Sequence, residues 1–310
     1  MLIKIVIPAI AGLACAFNAN AQPRFTPQVL DSTVSIGYGI ALADVDGDGK
    51  PDILLADKKQ FVWYRNGDWK KFVMAENLTE FDNVCIAARD IDGDGKAEVA
   101  VGAQWNPGET SNAQQSGSVH YLIRPQDPTT LWKPVELHHE PTIHRMQWVR
   151  AASGQFYLVV TPLHGVGNKN GQGAGVRILA YHFNGAPDGA WVTDMIDSSM
   201  HMTHNFFTVE NDSGTGLYVA GKEGIVLFQE SGGTLVRNNL QLPGMKQGAG
   251  EISMGKTKDH ENFIATIEPM HGNELVVYSG KAMERMLLDS NLKEGHALVS
   301  AIFYNGAMTR

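Results

Sequence analysis

Cysteine is almost missing from this chain. Of its 310 residues only Cys15 and Cys85 are cysteines. Residues 1–21 read as an export signal: Lys4 gives a charged start, Ile5 to Cys15 is apolar, and Ala19-Asn20-Ala21 is a small-residue cleavage site. Removing it leaves Cys85 alone in the mature chain, 22–310, so no intrachain disulfide can form. Cleavage and export are preferred to lipid anchoring through Cys15, because Gly12-Leu13-Ala14-Cys15 has Gly where a lipobox has Leu. The apolar run is too short to span a membrane. Positive charge is scarce as well. Twenty-five Lys and Arg face 33 Asp and Glu, a net charge of −8, and no basic patch suggests nucleic acid. Long stretches with a 3.6-residue apolar period are absent, so little helix is expected. An exported chain without disulfides needs another staple.

The acidic residues supply a candidate. Asp44-Val45-Asp46-Gly47-Asp48-Gly49-Lys50-Pro51-Asp52 recurs as Asp90-Ile91-Asp92-Gly93-Asp94-Gly95-Lys96-Ala97-Glu98. Carboxylates fall at positions 1, 3, 5 and 9, and glycines at 4 and 6 where the backbone must turn sharply. Alternating carboxylates plus a backbone carbonyl suit Ca²⁺, a hard cation that takes about 6–8 oxygens. The expected ligands are Asp44, Asp46, Asp48 and Asp52 in one loop, and Asp90, Asp92, Asp94 and Glu98 in the other. Apolar runs flank both loops, which reads as strand–loop–strand and not as the helix–loop–helix of an EF-hand. A repeated Ca²⁺ loop between strands resembles the FG-GAP/VCBS repeat of β-propellers.

Six segments share one rhythm of two apolar strands around a polar turn. They start near Gly39, Val84, His144, His204, Ala249 and His296, a period of 45 to 60 residues by subtraction. A third and fourth apolar strand follow each of the first five. Four strands per repeat at this period predict an all-β fold, a β-propeller of four-stranded blades. Gln28-Val29-Leu30-Asp31 reads as an outer strand lent to the last blade. The sixth repeat begins at His296 and lacks its second and third strands, so the propeller is expected to be truncated there.

In such a blade the turn between strands one and two lies on one face, and the start of strand one and end of strand two lie on the other. The acidic loops occupy the first face. The second collects His144, His164, His204, Glu251, Glu268, His271 and His296, with Trp105 and Lys222. Neutral imidazoles suit Zn²⁺ or another divalent ion, and a carboxylate can complete an open catalytic site. His144, His164, His204 and His271 are the expected metal ligands. Glu268, His271 and His204 are the candidate catalytic groups. Trp105, Arg145, Lys222, Glu251 and His296 are candidate substrate contacts. His120, His138, His139 and His182 fall on outer strands and read as surface residues. The glycine-rich stretch from Gly165 to Gly173 reads as a loop over the mouth, since no helix follows to make it a phosphate site.

The runs from Pro141 to Trp148, Thr161 to Gly165, His201 to Phe206, Gly248 to Ile252 and Ile267 to Gly272 resemble the propeller domain of the aldos-2-ulose dehydratase/isomerase family, also called 1,5-anhydro-D-fructose dehydratase. The resemblance covers most of residues 28–300. It implies a seven-bladed propeller with bound metal that removes water from a keto-sugar. The fungal family member carries cupin domains after its propeller, and none is expected in this sequence, so an isomerase step assigned to cupins is not carried over. Two other readings stay open at this point. One is a propeller polysaccharide lyase acting on uronate glycans, with Arg145, Arg150 and Lys222 binding the carboxylate. The other is a non-catalytic propeller that binds glycan or protein. Fold alone does not choose among them.

Overall fold

The computed structural model describes residues 26–301 except 187, 213, 232 and 233, together with 303–304 and 307–308. The expected signal over 1–21 lies outside the described residues. The described residues contain no helix, and so none long and apolar enough to cross a membrane. Residues 26–33 belong to a separate small unit. They form no strand, so the outer strand expected at 28–31 is not found. Within that unit Asp31 accepts the backbone N–H of Thr33, a turn that favours coil over a ladder.

Among the described residues, the second unit, Val34–Arg310, holds five four-stranded antiparallel sheets, consistent with propeller blades. Their strands are Gly39–Ala43, Asp52–Ala56, Gln60–Tyr64 and Lys71–Glu76 in the first. The second has Cys85–Arg89, Glu98–Ala103, Ser118–Ile123 and Lys133–Leu137, and the third Ile143–Arg150, Phe156–Pro162, Ile178–His182 and Val192–Asp197. Thr203–Asn211, Gly214–Gly221, Gly224–Ser231 and Thr234–Leu240 make the fourth, and Glu251–Lys256, Asn262–Glu268, Glu274–Ser279 and Glu284–Asp289 the fifth. Strand order in every sheet follows chain order, as expected for up-and-down blades.

Apolar side chains cover both faces of the middle strands, so each blade must bury its faces against the next. One core joins Leu54, Phe61 and Trp63 of the first blade to Val99, Val101 and Leu122 of the second. Another joins Ala100, Val119 and Tyr121 to Trp148, Leu158 and Tyr181 of the third. Further cores join the third to the fourth and the fourth to the fifth. Cys85 is buried in the second of these cores, and burial raises its thiol to about 12, consistent with the inert apolar role expected for it.

The first strands of neighbouring blades touch in sequence, first to fifth. Together they line a cavity of about 610 Å³, which His296–Val299 also enter. Residues 296–301, read from sequence as the inner strand of a sixth blade, form no ladder. The segment is held at Ser300, whose N–H donates to Ser253 Oγ at 2.9 Å. Phe303–Tyr304 and Ala307–Met308 form a separate two-stranded pair.

Leu158 is fully buried between two blades, whereas Ile40 on the cavity wall is 68% exposed. Leu158→Ala is expected to cost about 2–5 kcal/mol, and Ile40→Ala under about 1 kcal/mol. Urea unfolding midpoints measure both; equal shifts would contradict blade-to-blade burial as the source of stability.

Candidate metal centre

The two acidic loops join strands one and two of the first and second blades. Gly47, Gly49, Gly93 and Gly95 all adopt φ near +80°, which only glycine tolerates freely. The first carboxylate of each loop organises these turns. Asp44 accepts from the N–H groups of Gly47 and Gly49 at 2.7 Å each, and Asp90 from Gly93 at 2.7 Å and Gly95 at 3.0 Å. One oxygen from each of Asp44, Asp46 and Asp48 lies within 4.8 Å of the other two, and the same holds for Asp90, Asp92 and Asp94. Asp46 Oδ1 is buried with no partner. This hard-oxygen donor set fits Ca²⁺.

Position nine does something else. Asp52 accepts the backbone N–H groups of Val45 at 2.9 Å and Asn66 at 2.8 Å, one on each oxygen. Glu98 accepts that of Ile91 at 3.0 Å. Both are buried pins that close the loop onto strand two, and they stand outside the compact carboxylate groups. Burial, with backbone bonds opposing it and Asp46 and Asp44 adding repulsion, raises the Asp52 carboxyl above its ordinary range. Burial, aided by Asp92, Asp94 and Asp90, pushes Glu98 to about 7. The loops also touch: Ala97 N–H donates to Asp44 O at 2.7 Å.

At the other end of the strands the histidines converge. The rings of His144 and His204 lie 4.8 Å apart, those of His204 and His271 4.5 Å, and those of His271 and His296 4.3 Å. One nitrogen from each of His204, His271 and His296 lies within 4.8 Å of the other two. His296, expected as a substrate contact, thus stands in the compact set where His144 and His164 were expected. His204 is fully buried. Its Nδ1 donates to Gly250 O at 2.9 Å, which leaves a bare Nε2 that is buried and has no partner. Nδ1 of His296 likewise donates to Glu294 O at 2.6 Å. A metal-bound imidazole commonly gives its second N–H to a backbone carbonyl in this way. Gly250 leaves room for this approach, since a Cβ there would meet the His271 N and Met270 Cα at a tight 3.2 Å.

Glu251 is the carboxylate beside these rings. Its Oε1 lies 3.1 Å from His204 Nδ1, in ion-pair range, but the proton there is committed to Gly250 O, so Oε1 keeps no hydrogen-bond partner. Its Oε2 accepts from Asn205 Nδ2. The expectation that Glu268 lies beside the histidines is not met. Its carboxylate accepts from Thr266 Oγ1 at 2.7 Å, Tyr278 Oη at 2.6 Å and Arg285 Nη2 at 2.9 Å, turned into its own blade. Asn205 escaped the sequence reading, though it directly follows His204. The carbonyls of Gly250 and Glu294 carry no sequence signal at all.

The other expected residues sit as follows. Trp105 stacks on His144, with ring centroids 4.9 Å apart. Arg145 lines the cavity, and its Nη1 donates to the carbonyl of His144 at 3.0 Å. His164 is bridged to Met202 through its backbone, and its Nδ1 is buried without a partner. Lys222 Nζ donates to Asn170 O at 3.1 Å and so ties the glycine-rich loop to the end of strand two of the fourth blade. Gln104, Thr142 and His271 hold φ of 57°, 57° and 54°, a left-handed backbone that costs a non-glycine residue about 1–3 kcal/mol.

Burial, then the charge of Arg145 and of neighbouring imidazoles, drives His144 well below its ordinary range. Burial, then His204, His296 and Arg145, bring His271 to about 4. Burial lowers His164. Near neutrality these three are uncharged, the form that binds metal.

Three family models match the chain. The FG-GAP-like repeat covers residues 44–101, the FG-GAP repeat residues 86–122, and the aldos-2-ulose dehydratase beta-propeller domain residues 116–281. No curated protein matches it. Among solved structures it is similar to a chain of the mitotic checkpoint complex, at 10% identity and a TM-score of 0.53, covering 94% of this chain and 77% of that one. It is also similar to an auxiliary nutrient binding protein from Bacteroides thetaiotaomicron, at 9% identity and a TM-score of 0.51, covering 86% of this chain and 64% of that one. At such identities the likeness shows the fold alone.

Glu98 gives a pH signature. The unfolded chain ionises it near 4.5, while the fold holds it protonated to about 7. Its contribution to stability is therefore full below the first value and lost as pH rises to the second. Thermal midpoints in chelator should fall over that window, and Glu98→Gln should flatten the fall. A slope unchanged in the variant would assign it to another group.

Proposed function

The chain belongs to the aldos-2-ulose dehydratase β-propeller family, and from that premise we propose an exported, metal-dependent carbon–oxygen lyase. Its substrate is a keto-sugar such as 1,5-anhydro-D-fructose, from which it removes water by β-elimination. One observation carries the reading. Three histidines from different parts of the chain bring nitrogens within 4.8 Å, and the most buried of them, His204, has a bare nitrogen with no partner. A buried polar atom left unpaired costs about 1–3 kcal/mol, which a bound ion would recover.

His204, His271 and His296 would hold the ion, with Zn²⁺ favoured by an all-imidazole set. Bound there, such an ion would supply Lewis-acid polarisation of a carbonyl oxygen, which would make the neighbouring C–H more acidic. Glu251 lines the cavity and keeps one oxygen free of hydrogen bonds, as a base requires. It takes the proton from the carbon next to the carbonyl and returns it to the departing β-hydroxyl. The sugar loses one H and one OH as water and gains a double bond. Trp105, stacked on His144, supplies an apolar wall, and Asn205 holds Glu251 in place through its Oε2. Ca²⁺ in the two acidic loops has a structural role in this reading. Export rests on the signal read in residues 1–21.

Elemental analysis of the purified chain should find a transition metal, and incubation with 1,5-anhydro-D-fructose should give an enone absorbance. His204→Ala should lose both, and His182→Ala, on an outer strand, neither. A metal-free protein that leaves the sugar unchanged would sink the proposal.

The calcium role is tested apart from the chemistry. EGTA, or Asp46→Asn together with Asp92→Asn, should lower the thermal midpoint by roughly 5 °C, the effect of losing a ligand held about 100-fold above its Kd. An identical melting curve with and without chelator would remove calcium from the account.

A further inference from the structure

His144 is 6% exposed and packed between Trp105 and His204, yet it stands outside the compact set of nitrogens. Its hydrogen bonding explains why. Arg145 Nη1 lies 3.4 Å from His144 Nδ1 and donates to it. A guanidinium has donors and no acceptor, so Nδ1 must present a lone pair and the ring proton must sit on Nε2. That Nε2 is buried and has no partner. The neighbouring His204 is the reverse, with its proton spent on Gly250 O and its Nε2 bare. Two touching imidazoles thus offer opposite poles, a donor and an acceptor.

A bare nitrogen suits a cation, and an N–H does not. An unpaired buried donor is expensive, and a ligand that accepts from it recovers the cost. We propose that His144 is not a metal ligand but a specificity-determining donor, whose Nε2–H holds an oxygen of the bound sugar beside the three-histidine set. The inference rests on the metal-dependent reading above. It also narrows the ligand class: a compound with two adjacent oxygens, such as a carbonyl and its neighbouring hydroxyl, serves both poles, while one with a single oxygen serves one. Arg145 is a positioning residue here, since it fixes which nitrogen of His144 carries the proton.

The test uses the full chain loaded with Co²⁺, whose visible absorption reports both metal occupancy and ligand binding. Acetohydroxamate, with two adjacent oxygens, is the probe. His144→Phe keeps a ring on Trp105 but removes the N–H, and His144→Gln keeps an N–H. Both variants should bind Co²⁺ as tightly as the unaltered chain. The probe's Kd should rise about tenfold in His144→Phe, the loss of one hydrogen bond, and return toward the original in His144→Gln. Should His144→Phe fail to melt cooperatively, His144→Ala replaces it. Weakened Co²⁺ binding in the variants would make His144 a ligand and overturn the inference. So would a probe Kd that does not move. Failure of the unaltered chain to bind Co²⁺ would instead overturn the metal-dependent reading, and this inference with it.

Discussion

Everything in this molecule depends on the burial of one sheet against the next. A four-stranded antiparallel sheet with apolar residues on both faces is not stable in water by itself. Here each blade completes its neighbour: Trp63 meets Val101, Tyr121 meets Trp148, and Val159 meets Val219 within shared cores. Stacking sheets around a common cavity gives every blade the same orientation. Strand-one starts then fall on one face and strand-one turns on the other, whatever chemistry the loops carry. The histidines and the acidic loops are therefore held at opposite ends of the strands by the same packing that stabilises the chain.

This dependence explains what could be read from the sequence. The repeat period and the paired apolar strands specify blades, because a strand buried on both faces must be apolar almost throughout. Glu98–Ala103, buried along its whole length, is the clearest case. Convergence of His144, His204 and His271 follows from equivalent positions in successive repeats. The inner strand expected at His296 failed for the same reason that the others succeeded. His296–Val299 have the composition of an inner strand, but among the described residues no second strand pairs with them, and without a ladder they form no strand. Composition states what a segment could pair with; the partner decides whether it does.

Side-chain direction was the harder part. Glu251 and Glu268 lie on adjacent strands of the fifth blade one step out of register: Ile267 faces Glu251 in the ladder, and Glu268 faces Glu274. One step along a strand reverses the face. Glu251 therefore meets His204, while Glu268 turns into its own blade to meet Tyr278 and Arg285. Both glutamates stand at a mouth position in the sequence, and only the pleat separates their roles. Position nine of the acidic loops teaches a similar lesson. Asp52 and Glu98 fit the spacing of calcium ligands, yet their oxygens accept backbone N–H groups that would otherwise be buried unpaired. The nonapeptide pattern combines two jobs, with three carboxylates grouped together and a fourth that ties the loop to its strand.

The backbone has the last word on the chemistry. An imidazole is a ligand or a donor according to which nitrogen is bare, and a neighbour decides that. Nδ1–H of His204 donates to Gly250 O, and Nδ1–H of His296 donates to Glu294 O. Arg145 donates to Nδ1 of His144 and so reverses its polarity. Of the four histidines at this mouth, three thereby present different nitrogens, set by two carbonyls and one guanidinium. Residue type brings the rings together, and the groups behind them determine what each ring can hold. Substitutions at Gly250 would act on this second level: a side chain there would crowd Met270 and His271, displace the carbonyl from His204, and alter the site without touching a histidine.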